Sequence, residues 1–364
     1  MITERLLNEK FRFREDYIPG WLTQSQLDAR KLFLNEIHRK NKFISVSECP
    51  YCGNRNFIKI SEVNKRGLPS DIVICDSCDG CFKSIVFDKE TARYYYERIS
   101  HTLVGKSTFE DGLMQRMRDR IRLFGYPKYK FISHFVELNP EEDLIAEFGC
   151  NDGANLMPWK ENGFSVIGVD LDSNMVEFGR KWELNLIKSD MLDYDFNDRR
   201  PKLIILSHSL DRVTDVNAVL NRIRQILNPD GYVFIETPSI RTHGLINTIQ
   251  YFDVECNYYF DLNSISKILK RYAFKIIYAD EYNRILCSPN QSQKSMKSKP
   301  ISFTIDKFRA FLFKKIIDRM NFQNRSLYDL LVDGQRRDIK IRVFNKLQRL
   351  YFQNFYNSIV KTNE

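Results

Sequence analysis

The chain has 364 residues, of which 43% are hydrophobic and 28% charged, with a net charge of +9. This composition excludes a disordered chain, and the length predicts two to three globular domains. No apolar run approaches the roughly 18 residues of a membrane-spanning helix. The N-terminus lacks the apolar core of a secretory signal, so we expect a cytoplasmic protein. Eight cysteines are too sparse for a disulfide scaffold, so clustered ones are better interpreted as metal ligands.

The first part of the chain divides into three segments. Residues 1–44 are predicted to be helical, because apolar side chains recur at helical spacing. Residues 45–90 are rich in cysteine and form a candidate metal-binding module. Residues 91–140 are a polar, helical connector with a predicted break near residues 125–127.

Residues 141–288 alternate between short apolar runs and amphipathic stretches. The apolar runs are predicted strands at Asp143–Phe148, Phe164–Val169, Leu184–Lys188, Lys202–Ser207, Tyr232–Glu236, Phe274–Ala279 and Arg284–Cys287. The amphipathic stretches are predicted helices at Ala154–Asn162, Ser173–Trp182, Asp215–Leu227 and Leu262–Tyr272. Strands that alternate with helices of this length imply an α/β fold, in which helices cover both faces of a mostly parallel sheet.

Residues 289–364 begin with a polar linker and continue as predicted amphipathic helices. From Gln291 to Glu364 there are 16 Lys and Arg against 6 Asp and Glu, so the rest of the chain has a net charge of −1. If the protein has an anionic partner, this basic extension is where that partner is expected to bind. Three interpretations stay open: a helix lying peripherally on the anionic inner face of a membrane, an RNA-binding arm, or a docking or oligomerisation extension for a protein partner.

A glycine-rich turn follows the first strand of the alternation. The segment from Ile145 to Ala154 reads IAEFGCNDGA, and its two glycines let the backbone turn tightly and approach a ligand closely. The next strand leads to Asp170, about 20 residues further on, where a carboxylate can accept hydrogen bonds from ribose hydroxyls. Glu147 and Asp152 would repel a pyrophosphate but suit ammonium and sulfonium charges. The turn therefore favours S-adenosylmethionine over a dinucleotide.

The runs EFGCNDGANL and GFSVIGVDLD resemble the first two motifs of class I S-adenosylmethionine-dependent methyltransferases. The Asn-Asp-Gly form is similar to that of sugar C-methyltransferases and glycan-biosynthesis methyltransferases, and further motifs of the family follow in the expected order. The resemblance implies a Rossmann-like sheet with a bound cofactor. It implies that the methionine end of the cofactor contacts Glu147, Gly149, Asn151 and Gly153. It implies that Asp170, with Leu171 beside it, holds the ribose, and that Asp190 and Met191 contact the adenine. Ser207 and His208 would form the floor near the methyl group.

Two CxxC knuckles, one at Cys49 and Cys52 and one at Cys75 and Cys78, are separated by 22 residues. Each knuckle lets two thiolates converge on one ion, and four thiolates form the closed tetrahedral set of a structural zinc. Cys81 follows Cys78 at the same spacing, so either could be the fourth ligand, and we favour Cys78. An N-terminal zinc module also occurs in the sugar C-methyltransferases that this sequence resembles.

The residues expected to perform the chemistry depart from the family pattern. Sugar C-methyltransferases carry a Glu-His pair where this chain has Glu255 and Cys256, and Arg212 replaces a second histidine. We therefore expect His208, just after the fourth strand, to act as general base, with His243 as an alternative. The candidate catalytic residues are His208, and Glu255 and Asp211 as groups that orient a substrate hydroxyl.

The favoured hypothesis is an S-adenosylmethionine-dependent methyltransferase with a structural zinc module. Its expected substrate is a sugar of a nucleotide-sugar or of a cell-surface glycan, methylated at oxygen or carbon. A second, less favoured hypothesis is an RNA methyltransferase that holds nucleic acid with the zinc module and the basic extension. A third is a catalytically silent binding or scaffold protein, because both usual family histidines are missing.

Overall fold

The computed structural model describes residues 2–7, 9–105, 110–241 and 251–289. His243 and residues 290–364 of the basic extension lie outside the described residues, so the interpretations of that extension stay predictions. Within the described ranges, no helix is both long and apolar enough to cross a membrane.

The described residues form strands and helices whose bounds are as follows. The strands are β1 (Ile2–Glu4), β2 (Ile44–Ser45), β3 (Phe57–Val63), β4 (Pro69–Cys75), β5 (Cys81–Lys83), β6 (Ile85–Val86), β7 (Leu144–Phe148), β8 (Ser165–Asp170), β9 (Leu186–Lys188), β10 (Leu203–Ser207), β11 (Tyr232–Glu236), β12 (Tyr258–Tyr259), β13 (Phe274–Ala279) and β14 (Arg284–Pro289). The helices are α1 (Gln24–Phe33), α2 (Lys89–Tyr95), α3 (His101–Val104), α4 (Glu110–Arg120), α5 (Tyr126–Phe135), α6 (Met157–Glu161), α7 (Ser173–Arg180), α8 (Val216–Ile226) and α9 (Leu262–Arg271).

The central element is a seven-stranded sheet with the order β13-β14-β11-β10-β7-β8-β9. Strands β11, β10, β7, β8 and β9 pair parallel to one another, whereas β14 is antiparallel to both of its neighbours. Each strand predicted from the alternation of apolar runs begins and ends within two residues of an observed strand. The predicted α/β, Rossmann-like class is therefore confirmed.

The two faces of this sheet bury different helices. On one face, Met117 of α4 and Phe131 of α5 pack with α6 and α7 against strand residues such as Ile145. On the other face, α8 and α9 pack against residues such as Ala146. Successive strand residues therefore point to opposite faces, as in any pleated strand that is covered on both sides.

A second sheet, with the order β1-β3-β4-β5-β12, forms the N-terminal part. Its last strand, β12, comes from the segment after β11, and Tyr258 and Tyr259 pair antiparallel with Phe82 and Cys81. At the other edge, β1 pairs parallel with β3 although residues 1–44 were predicted to be helical. The side chains of β1 are all exposed, so backbone pairing and not apolar periodicity sets its conformation.

The helical connector continues through its predicted break. A π-helical turn, Ile121–Gly125, leads directly into α5, and Pro127 lies in the first turn of α5, where its missing N–H costs nothing. A Cβ on Gly125 would lie 2.7 Å from the carbonyl oxygen of Ala154. The glycine therefore lets α5 approach the glycine-rich turn, which brings side chains of the connector to the carboxyl edge of the sheet.

Candidate cofactor and zinc sites

The glycine-rich turn joins β7 to α6 and depends on three left-handed backbone positions. Gly149, Asn151 and Gly153 have φ angles of 73°, 54° and 77°. A Cβ on Gly149 would lie 2.5 Å from the Cβ of Ser209, and one on Gly153 would lie 2.6 Å from Cδ1 of Leu184. Glycine is therefore required for conformation and for space at both positions, whereas asparagine tolerates the left-handed region between them.

Asp170, at the end of β8, joins this turn to the adjacent strand. Its Oδ2 accepts a hydrogen bond of 2.7 Å from the backbone N–H of Asn151, and its Oδ1 accepts one of 2.9 Å from that of Asp172. The turn and the acidic strand end therefore meet, as the spacing of the two motifs predicted. Leu171, the next residue, is half-buried.

The segment after β9 lies beside Asp170. The backbone N–H of Ser189 donates to the carbonyl oxygen of Asp170 at 3.0 Å. Asp190 stabilises its own turn by accepting from the N–H of Leu192 at 2.9 Å. Met191 is half-buried against the sheet core. The structure thus brings together the residues expected to contact the ribose and the adenine.

Glu147 lies in β7 directly below the turn and is 1% exposed. Its Oε1 accepts from Nδ2 of Asn155 at 2.6 Å, whereas its buried Oε2 has no partner among the described residues. Burial raises the pKa of Glu147 to about 7, although the Lys128 ammonium opposes this effect. A buried carboxylate oxygen without a partner is suited to an ammonium group of a ligand.

Two arginines of α4, which the sequence analysis missed, cover the turn. Nη2 of Arg116 and Nη1 of Arg120 donate to Oδ1 of Asn151 at 2.9 and 3.0 Å. Arg120 also pairs with the buried carboxylate of Asp152, and Nη1 of Arg116 is buried without a partner among the described residues. The i, i+4 spacing of the two arginines indicated a shared helix face, but only the fold places that face over the turn.

The floor of the site is formed by the ends of β10 and β11. Ser207 and Glu236 are the last residues of these strands, and the Ser207 hydroxyl donates to Oε2 of Glu236 at 3.1 Å. His208 follows in the left-handed region, with a φ of 54°, and is exposed to solvent. The surrounding protein nevertheless desolvates the imidazole enough to lower the pKa of His208 below its usual value. The imidazole is therefore neutral at pH 7 and can accept a proton.

The other two candidate catalytic residues, Glu255 and Asp211, both accept hydrogen bonds beside this floor. Glu255 accepts from Nη1 of Arg212 at 2.5 Å and from the hydroxyl of Ser100. Asp211 is 2% exposed, and its Oδ2 accepts from the thiol of Cys256 at 3.4 Å. Arg212 and Cys256, the residues that replace the family histidines, are thus the partners of the two carboxylates. Oδ1 of Asp211 is buried without a partner among the described residues.

The four cysteines of the two knuckles converge on one point. The Sγ atoms of Cys49, Cys52, Cys75 and Cys78 all lie within 4.8 Å of one another, with Cys49–Cys78 and Cys52–Cys75 both at 3.6 Å. Four thiolates at tetrahedral zinc, with Zn–S bonds of about 2.3 Å, would be about 3.8 Å apart. The spacing therefore fits zinc. Cys81 is buried in β5 and is not among the converging thiols.

Residues 116–279 match the protein family described as a methyltransferase domain. This matched part, 164 of the 364 residues, is similar to methyltransferase domains. Over 261 residues the chain is 22% identical to the C-methyltransferase NovU of Streptomyces niveus; the match covers 64% of this chain and spans 57% of that protein.

Solved structures are similar to this chain at low identity. DesVI of Streptomyces venezuelae is 13% identical with a TM-score of 0.39, covering 49% of this chain and 95% of DesVI. Magnesium protoporphyrin IX methyltransferase of Synechocystis PCC 6803, solved with bound S-adenosylmethionine, is 14% identical with a TM-score of 0.38, covering 56% of this chain and 96% of that one.

Proposed function

We propose that the protein is an S-adenosylmethionine-dependent methyltransferase that methylates a sugar, either of a nucleotide-sugar or of a cell-surface glycan. The methyltransferase domain and the similarity to a C-methyltransferase support the reaction class. The sugar substrate is supported by the Asn-Asp-Gly form of the first motif and by the cysteine knuckles ahead of the domain. The observation that carries the proposal is the contact between Asp170 and the glycine-rich turn.

The chain's own residues fit the two ends of this cofactor. Asp170 would accept from ribose hydroxyls, and the partnerless Oε2 of Glu147 would accept from the ammonium group of the methionine end. Arg116, with a buried partnerless Nη1, is suited to its carboxylate, because guanidinium and carboxylate form strong charge-assisted hydrogen bonds. When bound, the cofactor supplies an electrophilic methyl group on a sulfonium centre.

On the acceptor side, neutral His208 would take the proton of the sugar group that is methylated. Asp211, buried next to it with one partnerless oxygen, would orient the acceptor or stabilise the charged imidazole. Glu255 is already paired with Arg212 and Ser100, so its role would be to fix the wall of the acceptor site. We also propose that the four converging cysteines bind a structural zinc ion.

Calorimetric titration with S-adenosylhomocysteine tests the cofactor assignment. Arg116→Met should weaken binding about 10- to 150-fold, because a charge-assisted hydrogen bond contributes about 1.5–3 kcal/mol. Arg118→Met is the matched control, because Arg118 lies on the same helix and is exposed. Asp170→Asn should weaken binding at least as strongly. Absence of binding by the unaltered protein would contradict the proposed function.

The substrate class needs a transfer assay. The protein is incubated with S-adenosylmethionine carrying a labelled methyl group and with a panel of nucleotide-sugars, and label in the sugar fraction is measured. Transfer to a nucleotide-sugar supports the proposal, and His208→Gln should abolish that transfer while S-adenosylhomocysteine still binds. Transfer to RNA and to no sugar would replace the proposed substrate class.

A further inference from the structure

Lys128 of α5 is a buried lysine at the carboxyl edge of the sheet, with a side chain that is 3% exposed. Its Nζ lies 2.8 Å from Oε2 of Glu236 and 3.4 Å from Oδ1 of Asn155, and it also donates to the hydroxyl of Ser207. Lysine is almost never fully buried unless it is paired. Three oxygen partners therefore hold this ammonium group in one position.

Glu236 is the charged partner of this lysine. Although burial alone would raise its pKa, the charges of Lys128 and His208 hold the pKa of Glu236 at about 2. Glu236 is consequently ionised at neutral pH. Because Glu236 also accepts from Ser207, Lys128 fixes the last residues of β10 and β11 in one hydrogen-bonded unit.

His208 is attached to this unit through its main chain. It follows Ser207 directly, and its backbone N–H donates to the carbonyl oxygen of Glu236 at 2.7 Å. This hydrogen bond stabilises the left-handed backbone of His208. The lysine, the glutamate and the serine therefore determine where the imidazole stands.

We propose that Lys128 is a positioning residue for the methyl transfer, because it holds Ser207 and Glu236 around His208 and balances the charge of Glu236 beside the imidazole. The inference rests on the proposed function, since it takes His208 as the general base. Nothing in the sequence around Lys128 signals this role, because the contact crosses from α5 to two strand ends that follow much later in the chain.

Four charged groups face His208 from the elements around it. Glu236 of β11 and Asp211 after β10 favour the protonated imidazole, whereas Lys128 of α5 and Arg212 after β10 disfavour it. Loss of the glutamate charge therefore leaves the lysine uncompensated, which lowers the pKa of His208. Loss of the lysine charge has the opposite effect.

The test is an NMR titration of the His208 imidazole in the full chain, which has five histidines. The His208 Cε1–H signal is assigned by its loss in His208→Gln. Glu236→Gln, which is isosteric, should lower the midpoint by about one pH unit, and Lys128→Gln should raise it by a similar amount. In the double variant the midpoint should return close to that of the unaltered protein.

Unchanged midpoints, or shifts in the same direction in both single variants, would overturn the inference. If Lys128→Gln does not fold, Glu236→Gln decides alone: a lower midpoint supports the inference and an unchanged one overturns it. The readout needs neither cofactor nor acceptor. Failure of the unaltered protein to bind S-adenosylhomocysteine would therefore reject the proposed function independently of the His208 titration.

Discussion

At the scale of single residues, Gly149 has no room for a side chain. Gly149→Ala places a methyl group 2.5 Å from Cβ of Ser209 in a left-handed backbone with a φ of 73°. We expect the turn to shift and S-adenosylhomocysteine binding, measured by calorimetry, to weaken more than tenfold.

Gly163→Ala is the matched control for the backbone effect. Gly163 has a φ of 86°, but the nearest atom to its added Cβ is 3.6 Å away, on Pro140. This variant should lose about 1–2 kcal/mol of stability from the left-handed conformation and keep its affinity. Equal losses of affinity in both variants would mean that strain, and not the close approach at the turn, explains the result.

The raised pKa of Glu147 predicts that the stability of the protein depends on pH. Its folded-state pKa of about 7 lies above the ordinary value of 4.5, so its contribution to stability is fully present below pH 4.5 and is lost as the pH rises through 7. Glu147→Gln removes this titration. Urea unfolding should therefore show the variant gaining about 2 kcal/mol relative to the unaltered protein between pH 5 and pH 8. A difference that is constant over this range would show that burial does not perturb this carboxyl.

At the scale of elements, the two knuckles predict which thiols bind zinc. Cys52→Ser should release the metal, because Cys52 belongs to the converging set and is exposed enough for the change to leave the core intact. Cys81→Ser should retain about one zinc per chain, because Cys81 lies apart in β5. Metal analysis of the purified variants measures both. Zinc retained in Cys52→Ser would contradict the proposed cluster, and zinc lost in Cys81→Ser would identify Cys81 as the fourth ligand.

Some elements of the site were predictable from sequence patterns, and others were not. The turn and Asp170 were predictable, because each motif is local and adjacent parallel strands bring their carboxyl ends together. Arg116 and Lys128 were missed, because they act on the site from helices that precede β7 and only tertiary packing determines what they contact. The strand β1 was missed for another reason: its side chains are exposed, so apolar periodicity carries no information about it.

At the scale of the whole molecule, the cysteine-rich part and the methyltransferase domain share one core. Tyr51 is 1% exposed, and the centroid of its ring lies 5.9 Å from the ring centroid of Phe260 and 6.0 Å from that of Phe82. Its hydroxyl donates to the carbonyl oxygen of Cys81 at 2.9 Å. The two parts are therefore expected to unfold together.

Tyr51→Ala tests this expectation. The variant should lose about 3–5 kcal/mol of unfolding free energy in a single transition, seen alike by far-UV circular dichroism and by tryptophan fluorescence. Tyr17→Ala, at a side chain that is 49% exposed, should change stability by less than about 0.5 kcal/mol. Two separate transitions in the unaltered protein would show that the parts are energetically independent.

The pairing of β5 with β12 has a consequence for the history of such a chain. The last strand of the N-terminal sheet, β12, comes from the half of the chain that contains the methyltransferase domain. Neither half can therefore form all of its backbone hydrogen bonds by itself. Recombination that joined a foreign N-terminal half to the methyltransferase half would leave backbone amides of the β5–β12 pairing without hydrogen-bond partners. The two halves are therefore expected to be inherited, and to diverge, as a single unit.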